Sequence, residues 1–470
     1  MIKEFFAKFR KKTVAQPQKL IISRYDAASS SGENTKHWAA ADYLSADAAA
    51  NADVRKTLRN RSRYEVANNT YAQGMLKTLA DDTIGTGPRL QMLTDNDKLN
   101  SQIEKDFASW AEHVDLAGKL RTIRKARCQD GEVFILLAEN PRFNVAEVQL
   151  DIQLIEADRV TDNSFYPAEN CIDGITFDKF GNVKSYRILK CHPGSDRITK
   201  DYLEYNEVSA ENVIHYFQVE RPGQHRGIPE ITSALPLFAQ LRRFTLAVLS
   251  AAEAAADFAG IVYTDAPAGG ESEDVDSLDG IQLQRNMLLT MPAGWKMAQL
   301  DPKQPCSSYA EFHSKLLNEI ARCLSMPYNI AAGNSSGYNY ASGRLDHQTY
   351  FKSLRVERAN INVKILNPIF ERWLREYSLV KGVKIKNTDH SWFWDGFEHV
   401  DPGKEANAID IKLANGTTTY AIEYAKVGED WETALKQLAK EKQLMAELGL
   451  TPADVKASRN INNYPEDGNE

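Results

Sequence analysis

Hydrophobic positions change their period several times along the chain, and each change marks an element. From Tyr43 to Asp82 the sequence is rich in Ala, Asn and Arg and reads as helical, until Thr83 to Pro88, with Gly85 and Gly87, breaks it. Helices are predicted around Leu99 to Val114 and Lys119 to Cys128. Strands follow. Val133 to Leu137 is a short apolar run, and Val148, Leu150, Ile152 and Leu154 alternate with polar residues, the two-residue period of a half-buried strand. Phe177 to Val183 reads as strand, turn and strand. Val213 to Val219 closes this α+β block.

A turn at Arg221-Pro222-Gly223-Gln224 changes the character of the chain. Leu235 to Ala259 is apolar almost all round, which a lone surface helix cannot be. At ~1.5 Å per residue it would run about 35–40 Å, and it must be covered by its own domain or by identical neighbours. Thr264 to Gly280 is acidic with Gly and Pro, and Ile281 to Leu300 reads as short strands. Ser308 to Glu311 forms a capping box for a second helix, with Phe312, Leu316, Leu317, Ile320 and Leu324 as its expected buried face. Met326 to Gly343 then reads as one long Gly/Ser/Asn/Tyr loop. Arg344 to Tyr377 is a long helix that Asn367-Pro368 should kink. Trp392, Phe393 and Trp394 cluster. The C-terminal part is helical, from Pro402 to Ala414 and from Trp431, capped by Asp430, to Leu448.

Composition narrows the function classes. Of 470 residues 43% are hydrophobic and 26% charged, an ordinary globular balance. Lys and Arg total 57 against 64 Asp and Glu, a net charge of −7, which argues against a coat that holds nucleic acid by excess cation. The five cysteines, Cys128, Cys171, Cys191, Cys306 and Cys323, have no CxxC spacing, so reduced thiols are expected rather than a disulfide frame or zinc ribbon. Cys191 beside His192 makes no metal site alone. No apolar run reaches the ~18 residues of a spanning helix, and no stable membrane association is expected. The N-terminus sets Ile2, Phe5, Phe6 and Phe9 on one helical face among Lys3, Lys8, Arg10, Lys11 and Lys12. That face suits either a membrane surface or a docking arm on a neighbouring chain.

Candidate chemistry is sparse. There is no GxxxxGK[ST] and no HExxH, Gly85-x-Gly87 lacks the rest of a dinucleotide fingerprint, and no cofactor or metal is expected. Gly333-Asn334-Ser335-Ser336-Gly337 does match the GxSxG nucleophile elbow, with Asp389, His390 and His399 downstream. An elbow needs a buried strand before it, whereas a helix precedes Gly333 here. A flexible Gly/Ser loop fits better than a serine hydrolase using Ser335, and the chain is expected not to be an enzyme.

Several ordered segments resemble the portal proteins of tailed bacteriophages of the lambda type. They are Arg24 to Ala28; Arg61 to Ala72 running on to Ile84-Gly85-Thr86-Gly87; His215-Tyr216-Phe217 with Arg221 to Pro229; Met326-Pro327-Tyr328 with Asn339 to Arg344; and Val400 to Ala406 with Gly428-Glu429-Asp430.

The resemblance implies an α+β portal fold with wing, helical stem, small clip insertion and helical crown, assembled as a homo-dodecameric ring. The ring would sit in the virion at one capsid vertex, after assembly in the host cytoplasm. Double-stranded DNA would pass through it non-specifically during packaging and ejection. Implied partners are the terminase large subunit, major capsid and scaffold proteins, and a head–tail adaptor. The expected divisions are a basic arm 1–24, wing 25–231, stem 232–325 with a clip at about 260–305, tunnel loop, kinked helix and wing return 326–400, crown 401–457 and tail 458–470. The resemblance places the DNA-channel loop at Gly333, Asn334, Ser335, Ser336, Gly337, Tyr338, Asn339, Tyr340 and Arg344. It places partner docking in the clip, at Glu271, Glu273, Asp274 and Asp276. A DNA-processing ring that grips its substrate is the remaining rival, and tight, salt-sensitive duplex binding would mark it.

Overall fold

The computed structural model describes residues 36–142, 148–162, 170–196, 204–257, 261–264, 295–298, 309–397, 402–426 and 431–449. The N-terminal arm, the acidic residues Glu271, Glu273, Asp274 and Asp276, the caps Ser308 and Asp430, His399, Cys306 and the tail lie outside the described residues.

The helical region expected from Tyr43 to Asp82 is three helices, α1 (Ala46–Ala49), α2 (Ala52–Asn68) and α3 (Thr70–Ile84). Asparagines punctuate it. The Asn51 side chain accepts from the Val54 N–H, and Asn69 accepts from Tyr71 and Ala72, so each restarts the helix it caps. Then come β1 (Arg89–Met92), α4 (Asp97–His113), α5 (Leu116–Asp130), β2 (Glu132–Glu139) and β3 (Leu150–Ile155). Four short strands follow, β4 (Cys171–Ile172), β5 (Ile175–Phe177), β6 (Val183–Leu189) and β7 (Tyr205–Ser209), and they form one antiparallel sheet in sequence order. β8 (Val213–Phe217) returns to β2, giving a second antiparallel sheet in the order β3-β2-β8.

β2 is the wall between two cores. Its odd residues Val133, Ile135 and Leu137 join Trp110, Ile123, Ile365 and Trp373 on one face. Phe134 points the other way, to Ile155, Ile175, Tyr186 and Ile188. A third core gathers Leu76 and Leu79 of α3 with the roots of the later helices α6 (Leu235–Asp257), α7 (Tyr309–Arg322), α8 (Tyr328–Ala332) and α9 (Tyr340–Ile361). Between α6 and α7 only the antiparallel ribbon of β9 (Ile261–Thr264) and β10 (Trp295–Ala298) is described.

The long helix differs from expectation. Pro368 does not break it alone. A π-helical turn, Asn362–Leu366, separates α9 from α10 (Asn367–Lys381), and Pro368 sits in the first turn of α10. The cause is a change of phase. At about 100° per residue, Tyr350 and Leu354 form one stripe, and Ile369, Trp373 and Tyr377 form another, displaced by roughly one residue's rotation. Tyr350 and Leu354 belong to the third core, whereas Ile361 to Tyr377 belong to the first. A π turn inserts the extra residue that lets one helix serve both. β11 (His390–Phe393) pairs with β1 beside this turn, and α11 (Pro402–Ala414), α12 (Tyr420–Lys426) and α13 (Trp431–Glu447) follow. The sequence pattern did not anticipate α12.

The segment leading into α6 is pinned by a buried carboxylate. Gly131 and Gly227 let two backbones meet: a Cβ on Gly227 would lie 2.2 Å from the Gly131 carbonyl oxygen. That approach brings Arg226 and the Gly227 N–H to Glu132, which is 0% exposed. Arg226 donates to Glu132 at 2.7 Å from Nη2 and 3.0 Å from Nε, and the Gly227 N–H donates at 2.9 Å. His215 Nε2 lies 2.9 Å away and Arg59 Nη1 3.5 Å. Burial opposes ionisation of Glu132, but Arg226 and His215 outweigh it and hold the carboxyl well below its usual 4.5. A depressed carboxyl stabilises fully above about pH 4.5, and that contribution is lost as pH falls through the folded value. Glu132→Gln leaves Arg226 buried without its counter-charge and should cost about 3–5 kcal/mol. Denaturant melts of the two proteins across pH 7 to pH 3 check this: the gap should be widest at pH 7, begin to shrink below pH 4.5 and keep shrinking toward pH 3.

Candidate channel loop and its supports

The loop expected over Met326 to Gly343 is shorter in the structure. α8 occupies its first part, and Tyr340 to Gly343 are the first turn of α9, leaving Gly333 to Asn339 between helices. The correction has a local cause. Gly333 (φ 62°) closes α8 in the left-handed region that glycine tolerates. At the other end Asn339 and Ser342 form a reciprocal capping box: the Ser342 N–H donates to Asn339 Oδ1 at 2.8 Å and the Asn339 N–H to Ser342 Oγ at 3.2 Å.

Between these anchors the backbone folds on itself. The Asn334 N–H donates to the Asn329 carbonyl at 3.0 Å, the Ser336 N–H to Asn334 Oδ1 at 2.9 Å, and the Tyr338 N–H to the Ser335 carbonyl at 3.0 Å. Gly333, Asn334, Ser335, Ser336, Gly337 and Asn339 are exposed, and Tyr338 is half-buried. Burial and nearby Asp346 push the Tyr338 phenol up, so it stays neutral. No acidic or basic residue occurs from Gly333 to Gly343, and exposed Arg344 is the first cation after the loop. Beneath it, Asn329 is buried and its Nδ2 lies 2.9 Å from His347 Nε2 on α9. Of the residues expected in the loop, Gly333 to Asn339 form the segment between α8 and α9, whereas Tyr340 and Arg344 belong to the start of α9.

The hydrolase arrangement does not form. The five residues before Gly333 are helix α8 rather than a strand, so no nucleophile elbow exists. His390 is engaged elsewhere, with Nδ1 2.7 Å from the Thr388 carbonyl and Nε2 3.2 Å from Asn367 Oδ1. Among the described residues, Glu156, Asp158 and His192 are the group whose ligand atoms could converge on a metal. Asp158 is also 3.2 Å from Arg59 and 2.8 Å from Arg63, and those charges oppose a cation there.

Helices α6 and α7 present a different surface. Leu235, Phe238 and Leu241 bury the root of α6. Farther out, Leu246 is 58% and Leu249 55% exposed. Phe312, expected in the buried face of α7, is 55% exposed, although its ring meets Phe244 edge-on at 5.0 Å. Only Leu317, Ile320 and Leu324 of that expected face are buried, and Leu316 is half-buried.

A family model described as phage portal protein, lambda family, matches residues 31–358. The chain belongs to that family. It is 24% identical over 432 residues to a probable portal protein of Halomonas phage phiHAP-1, covering 84% of this chain and 82% of the relative. Two solved structures are also similar. The neck of an empty gene transfer agent particle, computed with C6 symmetry, matches at TM-score 0.46 and 12% identity, covering 78% of this chain and 92% of its own. The virion of a native gene transfer agent particle matches at TM-score 0.45 and 12% identity, covering 80% and 93%. The family match spans the strands β1 to β10, helices α6 and α7 and the loop after α8, and ends at Arg358 on α9. Portal proteins are structural components of phage particles.

Sequence reasoning missed the network at Glu132 and its neighbour at Glu230. Glu230 receives Arg124 at 3.0 Å and Arg127 at 2.5 Å, and Arg127 also reaches Glu357 of α9 at 2.7 Å. The available signal was charge at apolar positions: Glu132 opens a hydrophobic strand, and Arg226-Gly227 falls inside the stem-entry segment.

The loop geometry gives a paired expectation. Asn339→Ala removes the cap of α9 and should lower unfolding stability by about 1 kcal/mol, while Ser335→Ala should leave both stability and any packaging activity unchanged. Urea titration and a DNA-packaging assay check the pair.

Proposed function

We propose that the chain is the portal subunit of a tailed phage, forming a dodecameric ring at one capsid vertex through which double-stranded DNA is packaged and later ejected. The observation that carries the ring is the outer half of α6, where Leu246 and Leu249 stand uncovered in a single chain. Burying a leucine is worth about 1.5–3 kcal/mol, and a cyclic head-to-tail contact covers such a face on every subunit without leaving an open end. On this reading α6 and α7 are the stem, the residues between them the clip, Gly333 to Asn339 the tunnel loop, and α11 to α13 the crown. The preceding strands and helices form the wing.

An uncharged loop suits transit. Every phosphate neutralised by a cation adds affinity through counterion release, and a ring multiplies each contact by its subunit number. A basic tip would grip DNA; a Gly/Ser/Asn tip lets it slide. Work must then come from a partner, the terminase large subunit. Docking of terminase and later of the head–tail adaptor is assigned to the acidic clip residues Glu271, Glu273, Asp274 and Asp276. Major capsid and scaffold proteins would seat the ring at its vertex.

The double variant Leu246→Asp, Leu249→Asp tests the reading. The full chain should keep its melting temperature as a monomer, fail to form rings by light scattering, and fail to support DNA packaging into empty heads. Rings of unchanged size would overturn the assignment of this face to subunit contact.

A further inference from the structure

A cleft of about 840 Å³ opens between α13 and the layer made by β1, α4 and α5. Its floor is apolar. Phe107 and Leu116 are buried beneath half-buried Leu90 and Ala111 and exposed Ala108. The Phe107 ring is fixed by its packing against Trp110, Phe370, Trp373 and Trp392. Ala434 and Gln437 of α13 form the opposite wall. Alanines on both walls leave room for large side chains from elsewhere, and the volume takes a few of them rather than a folded partner. The rim is acidic. Glu104, Glu112 and Asp115 line the cleft, with Arg89 as the one cation among its described lining residues. Glu104 accepts from the Met92 N–H at 2.7 Å, whereas Glu112 and Asp115 are exposed at the mouth. An apolar floor under carboxylates selects a ligand with large apolar groups on one side and cations beside them.

The chain carries such a segment. Ile2, Phe5, Phe6 and Phe9 recur at i, i+3, i+4 and i+7, the spacing that lays an amphipathic helix into a groove. Lys3, Lys8, Arg10, Lys11 and Lys12 accompany them, against a single Glu4. The segment is also within reach. α5 begins at the cleft with Leu116 and ends 15 residues later at Asp130, about 22 Å away at ~1.5 Å per residue. The first described turns of the chain lie toward that far end. Asp130 pairs with Arg63 of α2, Arg221 donates to the Leu44 carbonyl, and the His225 N–H donates to Asp47 beside the Arg226–Glu132 pair. Phe9 lies 27 positions before Lys36, a length that extends to about 90 Å. The tether is several times longer than α5, so the segment reaches the cleft of its own chain, where tethering favours it over a second copy.

We propose that Ile2 to Lys12 docks in this cleft of its own chain, with its phenylalanines on Phe107, Leu90 and Leu116 and its cations toward Glu112 and Asp115. The docked segment ties the start of the chain to α13, its last described helix. The inference goes beyond the channel reading and does not depend on ring assembly.

Photo-cross-linking of the full-length protein tests it. Benzoylphenylalanine placed at position 6 should cross-link to residues 86–90, 104–117 or 431–437, read by mass spectrometry on mixed isotopically light and heavy protein. Cross-links to other residues overturn the cleft, and light–heavy cross-links overturn docking within one chain. A labelled peptide of residues 1–12 supplies the second readout. It should bind the full-length variant Phe5→Asp, Phe6→Asp, whose own arm no longer competes, at least tenfold more tightly than the wild type. Adding Ala108→Trp to that variant fills the cleft and should abolish binding. Adding Glu112→Lys instead should weaken it two- to fivefold, the range of an exposed charge pair, with a smaller effect at high salt. Both positions are exposed, and melting curves check that each variant folds. Peptide binding that ignores Ala108→Trp and Glu112→Lys overturns the proposal. So does wild-type protein that binds phosphatidylserine vesicles through Phe5 and Phe6 and gives no cross-link in the cleft, a result that assigns this face to a membrane surface.

Discussion

Glu132 is a carboxylate with no exposed surface, and it is where the parts of this chain are tied together. It opens β2, the strand that divides two cores, and it receives Arg226 and the Gly227 N–H from the segment leading into α6. Arg59 brings α2 to the same point, and His215 brings β8. Asp173 extends the node to the second sheet, because it accepts from both Arg226 and Arg55. Such a node adds little stability over an apolar replacement, yet breaking one side of it is costly. Its contribution is geometric. Apolar packing is non-directional, whereas a charged fork fixes where the segment leading into α6 leaves β2.

A second node carries that geometry onward. Arg124 and Arg127 of α5 hold Glu230 at the stem root and Glu357 on α9, with the Tyr216 hydroxyl bridging Arg127 and Glu357. The start of α6 and the helix behind the loop are therefore referred to the same pair of arginines. Beyond Glu357 the helix crosses from one core to another, and the π turn absorbs the change of phase. The segment from Gly333 to Asn339 is anchored by a helix end on each side and carries no acidic or basic residue.

Much of this was legible in the sequence. The alternation at Leu150, Ile152 and Leu154 gave β3, and the apolar run after Glu132 gave β2. Leu235 to Ala259 announced a helix needing cover, and the structure leaves Leu246 and Leu249 uncovered. The long loop was overread because Asn339-Tyr340-Ala341-Ser342-Gly343 has loop composition; Asn339 and Ser342 turn out to be a reciprocal cap, which makes the next residues helical. Pro368 was legible as a disturbance but not as a π turn, since the phase change shows only when the two cores are known. Phe312 was assigned inward from periodicity alone. It is 55% exposed in the single chain, where its ring meets Phe244 edge-on. Glu132 and Arg226 were invisible as a pair, being far apart in sequence and joined by a glycine-to-glycine contact. The acidic clip residues fall outside the described residues.

The central claim is that this chain closes into a ring around a channel. Single-particle electron microscopy of the purified full-length protein tests it most directly. The account predicts dodecameric rings with an open centre, α6 and α7 packed against neighbouring subunits through Leu246, Leu249 and Phe312, and the Gly333 to Asn339 tips lining the narrowest part. A uniform monomer at high protein concentration, or rings in which those three residues still face solvent, would contradict it.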